Sequence, residues 1–390
     1  MFSGNCVIDD DGVPTFIYTG RGSEGRSTAT GILARSYDGM LTWEKKLIMD
    51  QPPYPGTPVH WDAQIWKDGD TWYQLIGGTY EGSGAAVLWS SPDLENWTYR
   101  NRIHSTDKYG YFWELPYLLR FGEKHVLIFG IFGAGGLGRY WVGNYDKETL
   151  TFTPDDEDAR VVDASRHFYA PNVHLADNRG PGGSERRLMF GWVRGEKSPT
   201  PDVPYWQGNH SLPRVLTLEG DRLVQKPIPE VQALRYDHRR LEDHVIASGA
   251  PQVLRDFTGD ALEIQATFDP QNAMPKRFGV RLSTSRDNRE RVSIYYEPAT
   301  RQFGIAVTGE QGDVSDEISD VVTFENDQPV KLHIFLDRSV VEVFAGGQVL
   351  TRRVYVDPAN QGVDVFSEGG MVKLEALDLW RLKSIWKSSP

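Results

Sequence analysis

A chain of 390 residues is long enough for more than one hydrophobic core, and its 39% hydrophobic and 25% charged residues are typical of a globular protein with no apolar run that could span a bilayer. Its net charge of −12 gives no basic footprint for nucleic acid. The only cysteine, Cys6, excludes an intrachain disulfide.

Aromatic residues are frequent, at 12% of the chain, with 12 Trp and 17 Tyr. Aromatic side chains favour β-strands, so the simplest interpretation is a β-rich core. The alternative is sugar binding, because flat rings stack on the apolar faces of sugar rings. Composition alone favours the first interpretation. No signal peptide is visible after Met1, so the compartment stays open, an extracellular one included.

An internal repeat occupies roughly the first 220 residues. Three turn motifs place an aspartate at Asp38, Asp93 and Asp146, with offsets of 55 and 53 residues, and apolar strand-like segments such as 71–77 and 125–130 precede the later two. Short strands, glycine-rich turns and a period near 50 predict propeller blades, each a four-stranded sheet. The predicted units are four: 1–50, 55–100, 110–155 and 160–220.

The pattern changes near Pro227. Residues 227–230 are predicted to form a short linker, and the repeat does not continue. The segments that follow alternate apolar and polar residues with a period of two and are separated by turns: 261–266, 292–296, 330–336 and 340–344. This predicts an antiparallel sandwich. The expected fold is therefore all-β, with an N-terminally incomplete β-propeller over 1–225 and a β-sandwich over 226–390.

Two acidic residues are candidates for chemistry. Asp62 and Glu114 each follow a tryptophan at the start of the second and third unit, 52 residues apart. Because the innermost strands of a propeller face its channel, such positions converge, and an apolar setting would favour the neutral acid. The alternative is hydrogen bonding across blade turns, as expected for Asp38 and Asp93. From the residues alone both interpretations of Asp62 and Glu114 stay open.

The order and spacing of several motifs resemble those of glycoside hydrolase family 32. The motifs are Phe2-Ser3-Gly4, Tyr18-Thr19-Gly20, Trp61-Asp62-Ala63, Trp113-Glu114-Leu115-Pro116, His167-Phe168-Tyr169-Ala170-Pro171, Gly191-Trp192 and Ser211-Leu212-Pro213-Arg214. The segments 336–339 and 341–344 are similar to the hallmark of that family's sandwich. The resemblance covers essentially the whole chain.

This resemblance implies a five-bladed propeller, of which about four blades are present, and a retaining mechanism that uses two carboxylates. Glu114 would be the acid/base, and Asp62 would stabilise the transition state. No metal or cofactor is implied. The substrate would be sucrose or a fructan. The remaining residues carried over from the family would bind substrate: Phe2, Ser3, Trp61, Trp113 and Tyr169.

The sequence also departs from the family pattern. It contains no Asn-Asp-Pro-Asn-type motif, which carries the nucleophile on the first blade, so no nucleophile is found and the chain opens at the expected second blade. The carboxylates of residues 9–11 are predicted to lie in a hairpin turn. Trp61 and Ala63 replace the usual Arg and Pro, Leu115 replaces a frequent Cys, and His167 replaces an Asp.

The leading hypothesis is a glycosidase that cleaves or transfers fructosyl units, with weak or no activity if the nucleophile blade is missing. The second is a non-catalytic fructan-binding protein. The third is a related propeller glycosidase acting on arabinose or xylose polymers. No nucleic-acid or membrane partner is expected, and self-association through the edge of an incomplete propeller is a further hypothesis.

Overall fold

A computed structural model describes residues 2–21, 29–49, 61–133, 136–177, 186–195, 208–249, 254, 256–270, 275–319 and 328–386. Within these ranges the chain is almost entirely β, with 29 strands and one 3-10 helix, Pro229–Leu234. That helix begins within the predicted linker, continues four residues beyond it and buries Val231. None of the helical structure in these ranges is long and apolar enough to cross a membrane.

The first two sheets are four-stranded antiparallel meanders, in which consecutive strands are neighbours. The first contains β1 (Gly4–Ile8), β2 (Pro14–Arg21), β3 (Ala29–Arg35) and β4 (Glu44–Met49). The second contains β5 (Gln64–Asp68), β6 (Thr71–Tyr80), β7 (Ser83–Ser91) and β8 (Thr98–Thr106). The first sheet lies within the predicted unit 1–50, and the second begins within the predicted unit 55–100 and ends six residues beyond it.

The third and fourth sheets each have five strands. The third runs in the order β12-β11-β10-β9, with β13 beside β11, and the fourth in the order β14-β15-β17-β18, with β16 beside β15. The third contains β9 (Trp113–Phe121), β10 (Lys124–Ile131), β11 (Gly138–Asp146), β12 (Thr151–Pro154) and β13 (Arg160–Val161). The fourth contains β14 (Phe168–Asp177), β15 (Arg186–Arg194), β16 (Gly208–His210), β17 (Arg214–Glu219) and β18 (Arg222–Pro227).

Burial patterns explain why these segments form blades. The inner strand β9 is buried over seven consecutive residues, as expected for a strand with both faces covered. The outer strand β4 is mostly exposed and carries Lys45 and Lys46, which discourage edge-to-edge pairing. One hydrophobic core joins the first sheet to the second, including Ile17 and Trp72, and another joins the second to the third, including Leu75 and Phe129.

Two further antiparallel sheets follow the 3-10 helix, as the alternating segments predicted. The first has the order β19-β29-β20-β25-β26-β27 and the second the order β24-β23-β22-β21-β28. The strands of the first are β19 (Arg235–Ala247), β20 (Ala261–Asp269), β25 (Val330–Asp337), β26 (Val340–Ala345), β27 (Gln348–Arg353) and β29 (Met371–Leu382). Those of the second are β21 (Arg277–Thr284), β22 (Arg291–Glu297), β23 (Gln302–Thr308), β24 (Val314–Ile318) and β28 (Gly362–Glu368).

A single core lies between these two sheets. Every second residue of β20 points into it, from Leu262 to Phe268, and β21 contributes in the same way from Phe278 to Leu282. This two-residue period is what a sheet covered on one face requires. The predicted sandwich is confirmed, as is the all-β class.

The chain divides into two compact units. The first comprises Met1–Val162, Tyr169–Met189 and Thr217–Leu223, and the second Asp163–Phe168, Phe190–Leu216 and Val224–Pro390. The boundary between residues 225 and 226 stays a prediction.

Candidate active site

The inner strands of three successive sheets begin with the same backbone irregularity. Asp62, Leu115 and Ala170 each have a left-handed conformation, with φ of 45°, 48° and 51°. Such values are uncommon outside glycine and mark positions that the surrounding structure holds in place. The residues directly before them therefore occupy matching places: Trp61, Glu114 and Tyr169.

Glu114 is held by the other two residues of this set. Its carboxylate accepts a hydrogen bond from the Trp61 indole Nε1 at 2.9 Å and another from the Tyr169 hydroxyl. The side chain is 8% exposed. Both donors are neutral, so they orient the carboxylate without adding a positive charge.

Asp62 lies beside Glu114 and is also buried. Its backbone N–H donates to the Thr19 hydroxyl at 3.0 Å, and its carboxyl is hydrogen-bonded to Ser3. Burial, followed by the negative charge of Glu114, raises the pKa of Asp62 to about 7, against the opposing effect of the Ser3 hydrogen bond. The two predicted carboxyls are thus close enough for their charges to interact.

Three polar residues near Asp62 were not predicted from the sequence. The Tyr117 hydroxyl is fully buried and hydrogen-bonds to Asn5 and Asn172, and both burial and the charge of Asp62 raise its pKa. Tyr117 follows Glu114 by three residues on β9, and regular strand alternation would put the two side chains on opposite faces, so the sequence did not indicate it; the left-handed Leu115 between them changes that alternation. Asn5 and Asn172 lie on other sheets, and no local pattern pointed to them.

Trp113 differs from the expectation that it lines the pocket. Its side chain is completely buried and stacks on Phe129 with ring centroids 4.2 Å apart, while its indole donates to the Tyr109 carbonyl. Gly84 makes room for it, since a Cβ there would lie 2.2 Å from the indole. Trp113 therefore supports the strand that carries Glu114 and leaves no surface for a ligand.

Aromatic rings surround the mouth of the site. Phe2 is 40% exposed and contacts the Trp61 ring at 5.2 Å. Trp61 in turn meets Phe112 edge-on at 5.9 Å, and Phe112 meets the exposed ring of Phe132 at the same distance. Phe2 and Trp61 were predicted here. Phe112 and Phe132 were not, although Phe112 stands two residues before Glu114.

The acidic run at residues 9–11 lies elsewhere, in the predicted turn between β1 and β2. Asp9 is bound by Arg35 at 3.1 Å, and Asp10 by Lys67 and by the Trp72 indole. Seven residues of mostly extended chain, about 20 Å, separate Ser3 from Asp10. These carboxylates are therefore placed away from Glu114.

In the described ranges no group of three or more His, Cys, Asp or Glu side chains is arranged to hold a metal ion.

The chain matches two family models. The model of the Glycosyl hydrolases family 32 N-terminal domain matches residues 1–227, and that of the Glycosyl hydrolases family 32 C terminal matches residues 230–381. Together they cover nearly the whole sequence. The chain belongs to glycoside hydrolase family 32, a family of glycosidases.

Curated relatives agree with this membership. A sucrose-6-phosphate hydrolase of Bacillus subtilis is 30% identical over 94% of this chain and 76% of its own length. The corresponding enzyme of Escherichia coli is 28% identical over 98% of this chain and 80% of its own length. A levanase of Bacillus subtilis is 27% identical over 100% of this chain, which spans 61% of that enzyme.

Solved structures share the fold. Fructan 1-exohydrolase IIa from Cichorium intybus superposes with a TM-score of 0.82 at 21% identity, covering 98% of this chain and 84% of its own. A Bombyx mori GH32 β-fructofuranosidase gives 0.75 at 24% identity, covering 98% and 79%. These likenesses establish the fold as a propeller followed by a sandwich.

Proposed function

We propose that this protein acts on fructosyl bonds of sucrose or fructans, with Glu114 as the acid/base and Asp62 as the stabiliser of the transition state. The observation that supports it most is the paired carboxyls at the starts of neighbouring inner strands, one of them held by Trp61 and Tyr169. Relatives named for sucrose-6-phosphate, levan and raffinose cleavage support the substrate class.

Each group has a defined task in this proposal. Glu114 protonates the glycosidic oxygen as the bond to the fructosyl carbon breaks, and later takes a proton from the incoming water. Asp62 lies against the developing oxocarbenium ion, and its negative charge stabilises that ion. Trp61 and Tyr169 keep the Glu114 carboxylate in one orientation throughout.

The charge balance of the site suits this chemistry. Two adjacent buried carboxyls resist losing both protons, so the pair retains one proton up to about pH 7. The pair therefore carries one proton and one negative charge, and the proposed roles require that proton to be on Glu114, and Asp62 to be ionised, when the glycosidic bond breaks. Trp61 stands where the family has an arginine, and its neutral indole does not remove this effect.

The proposal assigns no nucleophile within the 390 residues. The sequence has no Asn-Asp-Pro-type motif, and the run at residues 9–11 is bound in a distant turn. A covalent fructosyl intermediate needs such a group. The second candidate function is a fructan-binding protein that keeps the pocket without turnover. Self-association stays a prediction, which sedimentation would test.

The test measures fructose release from sucrose, sucrose 6-phosphate, inulin and levan, and in parallel the heat of fructose and 1-kestose binding. Removing a general acid lowers the rate by about 10²–10⁴-fold, so we expect that loss in Glu114→Gln, with ligand affinity changed by much less. Glu157→Gln, at an exposed carboxylate, is the matched control and should leave both readouts unchanged.

The outcomes separate the candidates. Full turnover by Glu114→Gln would overturn the assignment of the acid. Binding that is lost in Asp62→Asn, without turnover by the parent chain, would instead support the fructan-binding function. Absence of both turnover and binding would contradict the proposal as a whole.

A further inference from the structure

A row of aromatic rings extends outward from the carboxyl site. It begins at Trp61 and continues through Phe112 and Phe132 to Tyr111, and we call these four residues the aromatic row. The ring centroids of successive members are 5.9, 5.9 and 6.4 Å apart. All three distances are those of direct ring contacts, so the row is continuous.

Strand geometry places the row on the same face as Glu114. Just before the first residue of β9, the Phe112 carbonyl accepts a hydrogen bond from the Phe132 N–H at 3.1 Å, which continues the pairing of Trp113 with Ile131. Alternate residues of a strand share a face, and so do residues directly opposite each other. Phe112 and Phe132 therefore lie on the side of Glu114, whereas Trp113 and Ile131 point into the core.

The row starts beside the proposed acid. The Trp61 indole, its first member, donates to the Glu114 carboxylate at 2.9 Å. In the proposed reaction Glu114 protonates the oxygen of the leaving group, so the leaving group must lie against Glu114 when the bond breaks. The first sugar of the leaving group is therefore next to Trp61, and further sugars would follow the row.

The outer members of the row are open to solvent. Phe132 is 46% exposed and Tyr111 is 57% exposed. Contiguous exposed apolar surface beside a site is typical of a ligand-binding groove. The row carries no charged side chain, and flat uncharged rings match the apolar faces of sugar rings. Its surface thus suits a neutral saccharide.

The backbone beneath the outer rings is held in place. The Gly110 carbonyl accepts from the Gly84 N–H at 2.9 Å, and the Tyr109 carbonyl accepts from the Trp113 indole at 3.0 Å. These bonds tie the segment before β9 to the neighbouring sheet and to the core. A surface that is already ordered loses less conformational entropy when a ligand binds.

We propose that the aromatic row binds the successive sugars of an oligomeric leaving group, so that the protein prefers fructan chains to sucrose. This inference rests on the proposed function. Sucrose has one sugar beyond the cleaved bond, which covers only the inner end of the row at Trp61. A fructan trisaccharide or tetrasaccharide has two or three, which reach Phe132 and Tyr111.

The experiment is calorimetric titration of the Glu114→Gln chain, which should bind substrates without cleaving them, with fructose, sucrose, 1-kestose and the tetrasaccharide nystose. We expect nystose to bind at least about tenfold more tightly than sucrose, with 1-kestose between them. Adding Phe132→Ala or Tyr111→Ala should weaken nystose binding about fivefold, because each removes one ring surface, and should change sucrose binding less than about twofold.

Matched variants control for effects other than loss of a ring. Tyr111→Phe and Phe132→Tyr keep the aromatic surface and should keep the affinity for nystose. Tyr37→Ala removes a ring that is 65% exposed in the turn after β3 and should change neither affinity.

The outcomes separate this inference from the proposed function. Equal affinities for sucrose and nystose would overturn the inference alone, as would alanine variants that weaken both sugars equally or neither. Failure of every sugar to bind would overturn the proposed function as well. Tight nystose binding that depends on these rings, in a parent chain that releases no fructose, would support the row and contradict the catalytic role of Glu114.

Discussion

At the scale of single residues, the hydrogen-bond donors to the paired carboxyls of Asp62 and Glu114 are neutral. Trp61 and Tyr169 donate to the Glu114 carboxylate and Ser3 is hydrogen-bonded to the Asp62 carboxyl, so none of these contacts brings a cation to the paired carboxyls. A cation would favour both ionised forms, whereas neutral donors leave the repulsion between the carboxyls in place. Burial then acts on Asp62 with little compensation.

The raised pKa of Asp62 predicts how stability depends on pH. Because its folded pKa, about 7, exceeds the ordinary value of 3.8, its contribution is complete below pH 4 and is lost as pH rises through 7. The loss is on the order of 4 kcal/mol. Asp62→Asn cannot ionise, so its free energy of unfolding relative to the parent should rise between pH 5 and pH 8, measured by urea denaturation.

A turn aspartate gives the control for this measurement. Asp38 is exposed, and hydrogen bonds from Thr42, then Ser36 and Leu41, lower its pKa to about 2. Its titration ends below pH 5, so Asp38→Asn should show a constant difference from the parent between pH 5 and pH 8. A flat profile for Asp62→Asn as well would contradict the raised pKa of Asp62.

At the scale of elements, the repeated aspartates cap turns between the two outer strands of each blade. Asp93 accepts hydrogen bonds from the Glu95 and Asn96 backbone N–H groups at 2.9 and 2.8 Å, and from the Ser91 hydroxyl. Asp146 accepts from two backbone N–H groups in the same way. This is the local role that the sequence predicted for the Asp38 and Asp93 motifs, and it explains their period.

Removing one cap should loosen one blade. Burial opposes ionisation of Asp93, but its hydrogen bonds outweigh this effect and lower its pKa. Asp93→Ala leaves two backbone donors without an acceptor and should reduce the free energy of unfolding by about 1–2 kcal/mol. Asp107→Ala, at an exposed residue, should change it by less than about 0.5 kcal/mol in the same thermal or urea denaturation. Equal effects would exclude a capping role.

At the scale of the whole molecule, a buried charge network joins distant parts of the second unit. Arg214 is completely buried and binds Glu342 at 2.6 Å and Asp163 at 3.2 Å. Its guanidinium also donates to Thr351 and lies over the Phe168 ring at 4.3 Å. Arg214 and Glu342 belong to two motifs that carried the family resemblance, so this contact gives them a structural reason.

Arg214→Met should be strongly destabilising. It leaves two carboxylates buried without a cation, and breaking such pairs costs about 3–5 kcal/mol. Burial raises the pKa of both Asp163 and Glu342 against the effect of Arg214, so the cost should grow with pH as they ionise. Denaturation at pH 5 and pH 8 measures it. Arg338→Met, at an exposed arginine of the same sandwich, is the control, and equal losses in both variants would contradict the network.

Local pattern was enough to predict much of this protein. The period near 50 residues, the alternation in the sandwich and the capped turns follow from strand geometry and turn chemistry, which act over a few residues. The agreement of β6, β20 and β22 with the predicted segments 71–77, 261–266 and 292–296 reflects that locality.

Tertiary structure alone decided which residues meet. A left-handed residue at the start of three inner strands places Glu114 at the position that matches Trp61, and not at the one that matches Asp62. Contacts between sheets also bring Asn5 and Asn172 to the Tyr117 hydroxyl. Burial of Trp113 and the partners of Arg214 likewise depend on contacts between sheets. Such contacts join residues dozens to hundreds of positions apart, where sequence periodicity carries no information about register or facing side chains.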